Sequence, residues 1–213
     1  MTEFFQMYGK MLLEAILVHL KYVLISVSIG FAVGLLLGMA LSRIQRFSGL
    51  IMGVVSLFQT IPGIVFIGVL FIYLGMKPIS VIIALSVYAM FPVLKNTYTG
   101  IVGVDRGYVE AAKGCGMSSL QTLLRVELPL AMPNVIAGLR LSTIYTVSWT
   151  VLASMIGLGG LGDFVYQGVS ANDNKLIIAG AIPAAIIAVL AGLLIDKLRV
   201  RLTPKGMRGG VAK

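Results

Sequence analysis

The chain has 213 residues, of which 58% are hydrophobic and 12% charged, with a mean hydropathy of +0.99. Soluble domains are about half apolar and a quarter charged, so this balance excludes an ordinary water-soluble globule and places the chain in lipid. A net charge of +9 would suggest nucleic acid in a soluble protein, but in a membrane protein the basic residues are first sorted by loop.

In chain order, the N-terminal stretch carries Glu3, Glu14 and His19 and lacks the layout of a cleaved signal peptide. The first apolar window follows at 20–42, and about 20 helical residues suffice to cross the hydrocarbon. The next uncharged stretch, 47–76, is too long for one straight span, and Gln59, Thr60, Ile61, Pro62 and Gly63 sit in its middle. Proline breaks or kinks a helix there, so we expect one span over 50–75, bent near Pro62. A third span is expected over 79–98, with Pro92 inside it and Lys95, Asn96 and Thr97 at its end. After a charged segment comes a fourth over 134–156, in which Arg140 can snorkel to the interface, and a fifth over 176–196 that contains Pro183.

Five spans put the termini on opposite sides, and lysine and arginine choose between the two orientations. With the N-terminus outside, 13 of the 17 cationic residues fall inside, and only Lys10, Lys21, Lys77 and Lys175 fall outside. The segment 105–129 then faces the cytoplasm, and the basic stretch 197–213 anchors the last span or attracts anionic lipid heads. The expected fold is therefore an all-α integral membrane protein: one domain, 1–213, forming a five-span helical bundle with a cytoplasmic two-helix loop.

Within that loop, 108–113 and 118–126 have helical character and are separated by Gly114, Cys115 and Gly116. Gly116 stands where a helix ends in a left-handed residue, Ser118 or Ser119 can cap the next helix, and Pro129 and Pro133 are expected to interrupt it and re-aim the chain. Glu110, Ala111 and Ala112, then Gly116, then Val126, Leu128 and Pro129 form the pattern Glu-Ala-Ala-x3-Gly-x9-Val-x-Leu-Pro. This resembles, at every defined position, the coupling loop of ABC importer permeases of the methionine-permease-like group. The resemblance implies that Glu110, Ala111, Ala112, Gly114, Gly116, Met117 and Leu120 dock into a groove of a cytoplasmic ATPase. Small residues suit close contact there, and Glu110 offers a carboxylate to a partner arginine or helix N-terminus.

Three further blocks are similar to osmoprotectant permeases, which take up glycine betaine, carnitine or choline: Gln59 to Pro62, Pro92 to Gly100, and Gly157 to Gly162. What this implies is an ATP-driven, receptor-dependent importer in a bacterial cell membrane. Its partners would be a cytoplasmic ATPase dimer, an extracytoplasmic substrate-binding protein, a second permease copy and membrane lipid, with no nucleic acid. ATP and magnesium would be bound by the ATPase, since this chain carries no Gly-x4-Gly-Lys-Ser/Thr loop. Another small solute, such as an amino acid, is the alternative cargo.

For the translocation path or gate the candidates are Gln59, Thr60, Pro62, Tyr88, Asn96, Tyr145, Trp149 and Gly159. Each also has a structural reading. Gln59 and Thr60 either line a path or fix helix packing, Asn96 is a gate residue or an interface anchor, and Gly157 to Gly162 form a tight turn, a gate or a plain loop. Tyr88, Tyr145, Trp149 and Tyr166 offer cation–π faces to a quaternary ammonium ion or simply line the interface. His19 has no partner at metal or triad spacing and is expected at the outer interface. An ion-coupled carrier would place acidic groups inside the bilayer, whereas all eight here fall in loops or at span ends. No hydrolase elbow or metalloprotease motif supports an enzyme.

Overall fold

A computed structural model describes residues 2–154 and 157–203. Among these the chain is helical throughout, with no strand: α1 (Thr2–Arg43), α2 (Gln45–Gln59), α3 (Gly63–Leu74), α4 (Pro78–Val102), α5 (Arg106–Gly114), α6 (Ser119–Thr122), a π turn (Leu123–Glu127), α7 (Leu128–Ser154), α8 (Leu161–Ala171) and α9 (Asn174–Leu202). Backbone polar groups find no water in hydrocarbon, so helices that satisfy their own bonds are the expected solution. Four helical runs are long and apolar enough to cross a membrane, and the pair α2 and α3, bent by 87°, makes a fifth if counted as one span.

Helix α1 begins far ahead of the first charge-free window. Its 42 residues reach about 63 Å, twice the hydrocarbon thickness. The extra length is stable because its face packs elsewhere: Ala15 joins Leu161, Phe164, Leu176 and Ala184 of α8 and α9 in one core cluster, with Tyr8 and Leu12 against it. His19, expected at the outer interface, is instead fully buried on this helix, close to Gly160.

The centre of the molecule is the packing of α1 on α4 and of α4 on α7, with α9 against α7 and α8 against α9. Gly30, Gly34 and Gly38 lie four apart on α1, and a Cβ at each would come within 2.9 Å of α4 atoms, including the Met90 carbonyl and the Val93 and Thr97 side chains. Lipid tails supply no hydrophobic drive between helices, so this close approach is where packing energy is gained. Gly100 of α4 and Gly138 of α7 do the same against Asn134 and Asn96.

Prolines within helices are accommodated. Pro92 is buried in α4, and the nearby Ala89 carbonyl accepts a hydrogen bond from Ser142 of α7 at 2.7 Å. Pro129 and Pro133 were expected to interrupt the chain, yet the helix runs unbroken from Ser119 to Ser154. The accommodation is the π turn, in which the Leu128 amide reaches back to the Leu123 carbonyl, loosening the ladder just ahead of Pro129, which has no amide to give. The expected end of span four at Ile156 and the basic residues Lys205, Arg208 and Lys213 lie outside the described residues.

Candidate functional site: an exposed loop at one end and an aromatic-lined break in the bundle

Helix α5 starts at Asp105, whose carboxylate accepts the Gly107 amide at 2.7 Å. It ends in a Schellman arrangement: Gly116 has φ +78°, its amide donates to the Lys113 carbonyl at 2.9 Å, and the Met117 amide donates to the Ala112 carbonyl at 3.1 Å. Of the two candidate caps for the next helix, Ser118 is the one used. Its hydroxyl accepts from the Gln121 amide while the Gln121 side chain accepts from the Ser118 amide at 2.8 Å, a reciprocal capping box.

The loop residues divide by exposure. Glu110, Ala111, Gly114 and Gly116 are exposed, Leu120 is 64% exposed, Met117 is half-buried and Ala112 is buried. A Cβ at Gly114 or Gly116 would meet nothing within 4 Å, so packing within this chain does not require glycine at 114.

The break between α2 and α3 is held by side chains far away in sequence. The Tyr88 hydroxyl donates to the Ile61 carbonyl at 2.6 Å, supplying a partner where the helix stops, and the Thr60 hydroxyl bonds back to Leu57 at 2.7 Å. Trp149 lies so close over Gly63 that a Cβ there would overlap its ring. Trp149 and Tyr88 stack at 5.2 Å, and Tyr88 meets Phe66 and Phe91 edge-on at 5.8 and 6.1 Å. Tyr88 and Trp149 thus pair with each other rather than forming an open cage. Gln59, Thr60 and Pro62 are exposed at the same break, and Tyr145, one turn before Trp149 on α7, is 52% exposed. Tyr166 stands apart on α8.

Asn96 is half-buried and donates to the Pro92 carbonyl at 2.8 Å. At the far end of α7, Gly157, Gly159 and Gly160 all take positive φ, and a Cβ at Gly160 would fall 2.5 Å from the Ser154 hydroxyl. Glycine is required there for α8 to fold back onto α7. Tyr22 of α1 donates to the Leu158 carbonyl at 3.1 Å and so pins this turn. Asp163, in the first turn of α8, has its carboxyl raised above the ordinary range by burial.

Sequence reading missed two ion pairs. Arg140 of α7 meets Asp196 of α9 at 3.0 Å. Arg43, the last residue of α1, grips buried Glu127 of the π turn with both guanidinium nitrogens, Nη1 reaching Oε1 at 3.3 Å and Nη2 reaching Oε2. The only signal was a lone acid between apolar neighbours, Val126 and Leu128, with nothing to name its partner 84 residues away.

The carnitine transport permease OpuCB of Listeria monocytogenes is 40% identical over 97% of this chain and 95% of its own length. The glycine betaine/carnitine/choline transport system permease OpuCB of Bacillus subtilis (strain 168) is 39% identical over 98% and 96%. Among solved structures, the inward-facing MetNI methionine ABC transporter superposes with a TM-score of 0.83 at 21% identity, covering 92% of this chain and 98% of the other. An amino acid ABC transporter crystallised with histidines gives 0.75 at 22% identity, over 91% and 95%. The fold is therefore that of the MetNI permease. Residues 30–206 match the family described as binding-protein-dependent transport system inner membrane component, and the chain belongs to that family, whose members are the membrane-embedded, non-enzymatic subunits of ABC transporters.

Proposed function

We propose that the chain is one half of a permease pair in an ATP-driven importer of osmoprotectants, quaternary ammonium compounds of the glycine betaine, carnitine and choline type. The observation that carries this reading is identity near 40% over almost the whole length with permeases named for those solutes. In this reading residues 1–213 form a single domain that crosses the membrane five times, the bent pair α2 and α3 being one crossing. The N-terminus lies outside and the C-terminus in the cytoplasm. A separate receptor delivers the solute, and a separate ATPase dimer binds ATP and magnesium. A two-fold ATPase offers two grooves, so a second permease copy or a close paralogue completes the pore.

The docking element is the loop 105–129. In its favour, Glu110, Ala111, Gly114 and Gly116 are exposed, and the space around Gly114 and Gly116 is open. A helical glycine costs about 1 kcal/mol against alanine, and close approach by a partner is a reason to keep one at 114. Because α6, the π turn and α7 form one continuous helix, displacement of α6 has a route to a membrane-crossing helix through the π turn. The path runs along the α2 to α3 break, where exposed Gln59 and Thr60 need water or a protein partner rather than lipid. Tyr145, with Trp149 and Tyr88 behind it, gives a passing cation an aromatic face; Asn96 and Gly159 belong to the inner and outer gates.

Uptake of labelled glycine betaine, carnitine and choline into proteoliposomes holding this permease, its ATPase and its receptor tests the substrate class. ATP-dependent uptake of at least one is expected, and uptake of none overturns it. Gly116→Asp is expected to insert normally yet abolish ATP-coupled uptake. Parental uptake by that variant overturns the docking assignment.

A further inference from the structure

Arg43 and Glu127 belong to no part of the coupling pattern that drew attention to the loop, yet they join its exit to another helix. Glu127 is only 5% exposed, in the last position of the π turn. Its carboxylate is held by both terminal nitrogens of the Arg43 guanidinium, the two-pronged geometry that fixes direction as well as distance. One turn earlier, Leu123 of the same π turn is buried with Ile101 of α4 and Ala131 of α7, and Met39 of α1 packs on that cluster. The π turn therefore meets the end of α1 through the ionic contact of Glu127 with Arg43, beside an apolar cluster that Leu123 shares with α4 and α7 and on which Met39 of α1 packs.

The π turn is also where the continuous helix from Ser119 to Ser154 is least constrained, since its ladder is widened and Pro129 follows. A push on α6 could there be absorbed by bending instead of being passed on. An ion pair bridging that point to the end of a 42-residue helix removes this freedom. A buried carboxylate is costly to leave unpaired, which favours the closed pair over an open one.

We infer that Arg43 and Glu127 are positioning residues for energy coupling: their pairing locks the π turn to α1, so that α1 and α7 move together as one body when the loop 105–129 is displaced. The inference rests on that loop being the ATPase docking segment.

Two measurements test it. In proteoliposomes with ATPase, receptor and labelled glycine betaine, carnitine and choline, uptake is divided by ATP hydrolysed. Arg43→Gln and Glu127→Gln are expected to lower this ratio about tenfold, within the range typical of coupling between sites, and Arg43→Lys to lower it less. The exchange Arg43→Glu with Glu127→Arg is expected to restore most of it. A parental ratio, including the case in which uptake and hydrolysis fall together, assigns the pair a merely structural role and overturns the inference. The second readout needs neither substrate nor a destabilised variant. Spin labels at Ala40 of α1 and Leu141 of α7, both exposed, are expected to keep one separation with and without ATP in the parent transporter. A nucleotide-dependent separation overturns the inference. If Gly116→Asp leaves uptake intact, the docking reading fails; if it abolishes uptake while these two readouts are negative, only the lock fails.

Discussion

Glycine does opposite things in two regions of this molecule. On α1, Gly30, Gly34 and Gly38 lie so close to α4 that no Cβ could be added without moving the backbone or the roots of side chains. On α2 and α3, Gly49, Gly53 and Gly68 have nothing within 4 Å of where a Cβ would go, and only Gly63 is covered, by Trp149. The first region is a finished interface that the chain builds within itself. The second is an open surface rich in exposed apolar residues, with Ile72 and Tyr73 both 80% exposed, and it carries the polar break at Gln59 and Thr60. A membrane protein gains little by burying apolar area from lipid, so contact distance tells more than hydrophobicity about which faces are closed.

The sharpest way to break this contrast is Gly34→Leu. Its Cβ alone would sit 2.6 Å from the Met90 carbonyl and 2.9 Å from the Val93 Cβ, and the rest of the side chain adds to the overlap. A cost of about 3 kcal/mol or more is expected, at the upper end for overpacking, seen as loss of monodisperse protein after detergent extraction. Gly63→Ala comes next. About 2 kcal/mol is expected because the Trp149 ring must move, and the cost should shrink by at least half in a Trp149→Ala background; a melting-temperature cycle checks the coupling. Tyr88→Phe should cost about 1 kcal/mol by leaving the Ile61 carbonyl without its donor, and should slow uptake if the break must keep its shape. The smallest effect is expected for Gly53→Ala, neutral or stabilising by up to about 1 kcal/mol in the isolated chain. If that substitution instead blocks assembly of the full transporter while leaving the isolated chain's melting temperature unchanged, the α2 surface is closed by another subunit.

Much of this was readable in the residues. The bend near Pro62 followed from a proline inside an overlong apolar stretch, and the left-handed turn followed from Gly116 placed after a helical run. The choice of Ser118 over Ser119 as a cap was not readable, because both have the chemistry and only the register of Gln121 decides. Pro129 and Pro133 misled because proline forbids one hydrogen bond without forbidding a helix, and a π turn absorbs the defect. The full length of α1 was hidden because Lys10, Glu14 and Lys21 interrupt the apolar window, although a helix can carry charges wherever one face has a neighbour. Tyr88 was singled out for its face, yet the fold uses its hydroxyl as well.

By itself, the sequence determined that the chain lives in a membrane, where its apolar runs lie and where its backbone turns, since hydrocarbon penalises every unpaired backbone group and leaves composition and proline or glycine placement few outcomes. Only the tertiary structure decided which distant groups meet: Arg43 with Glu127, Tyr88 with Ile61, and the α1 glycines with α4. Such pairings depend on the rotation of each helix about its axis, which is set by packing at the level of single methyl groups and leaves no local trace in the order of residues.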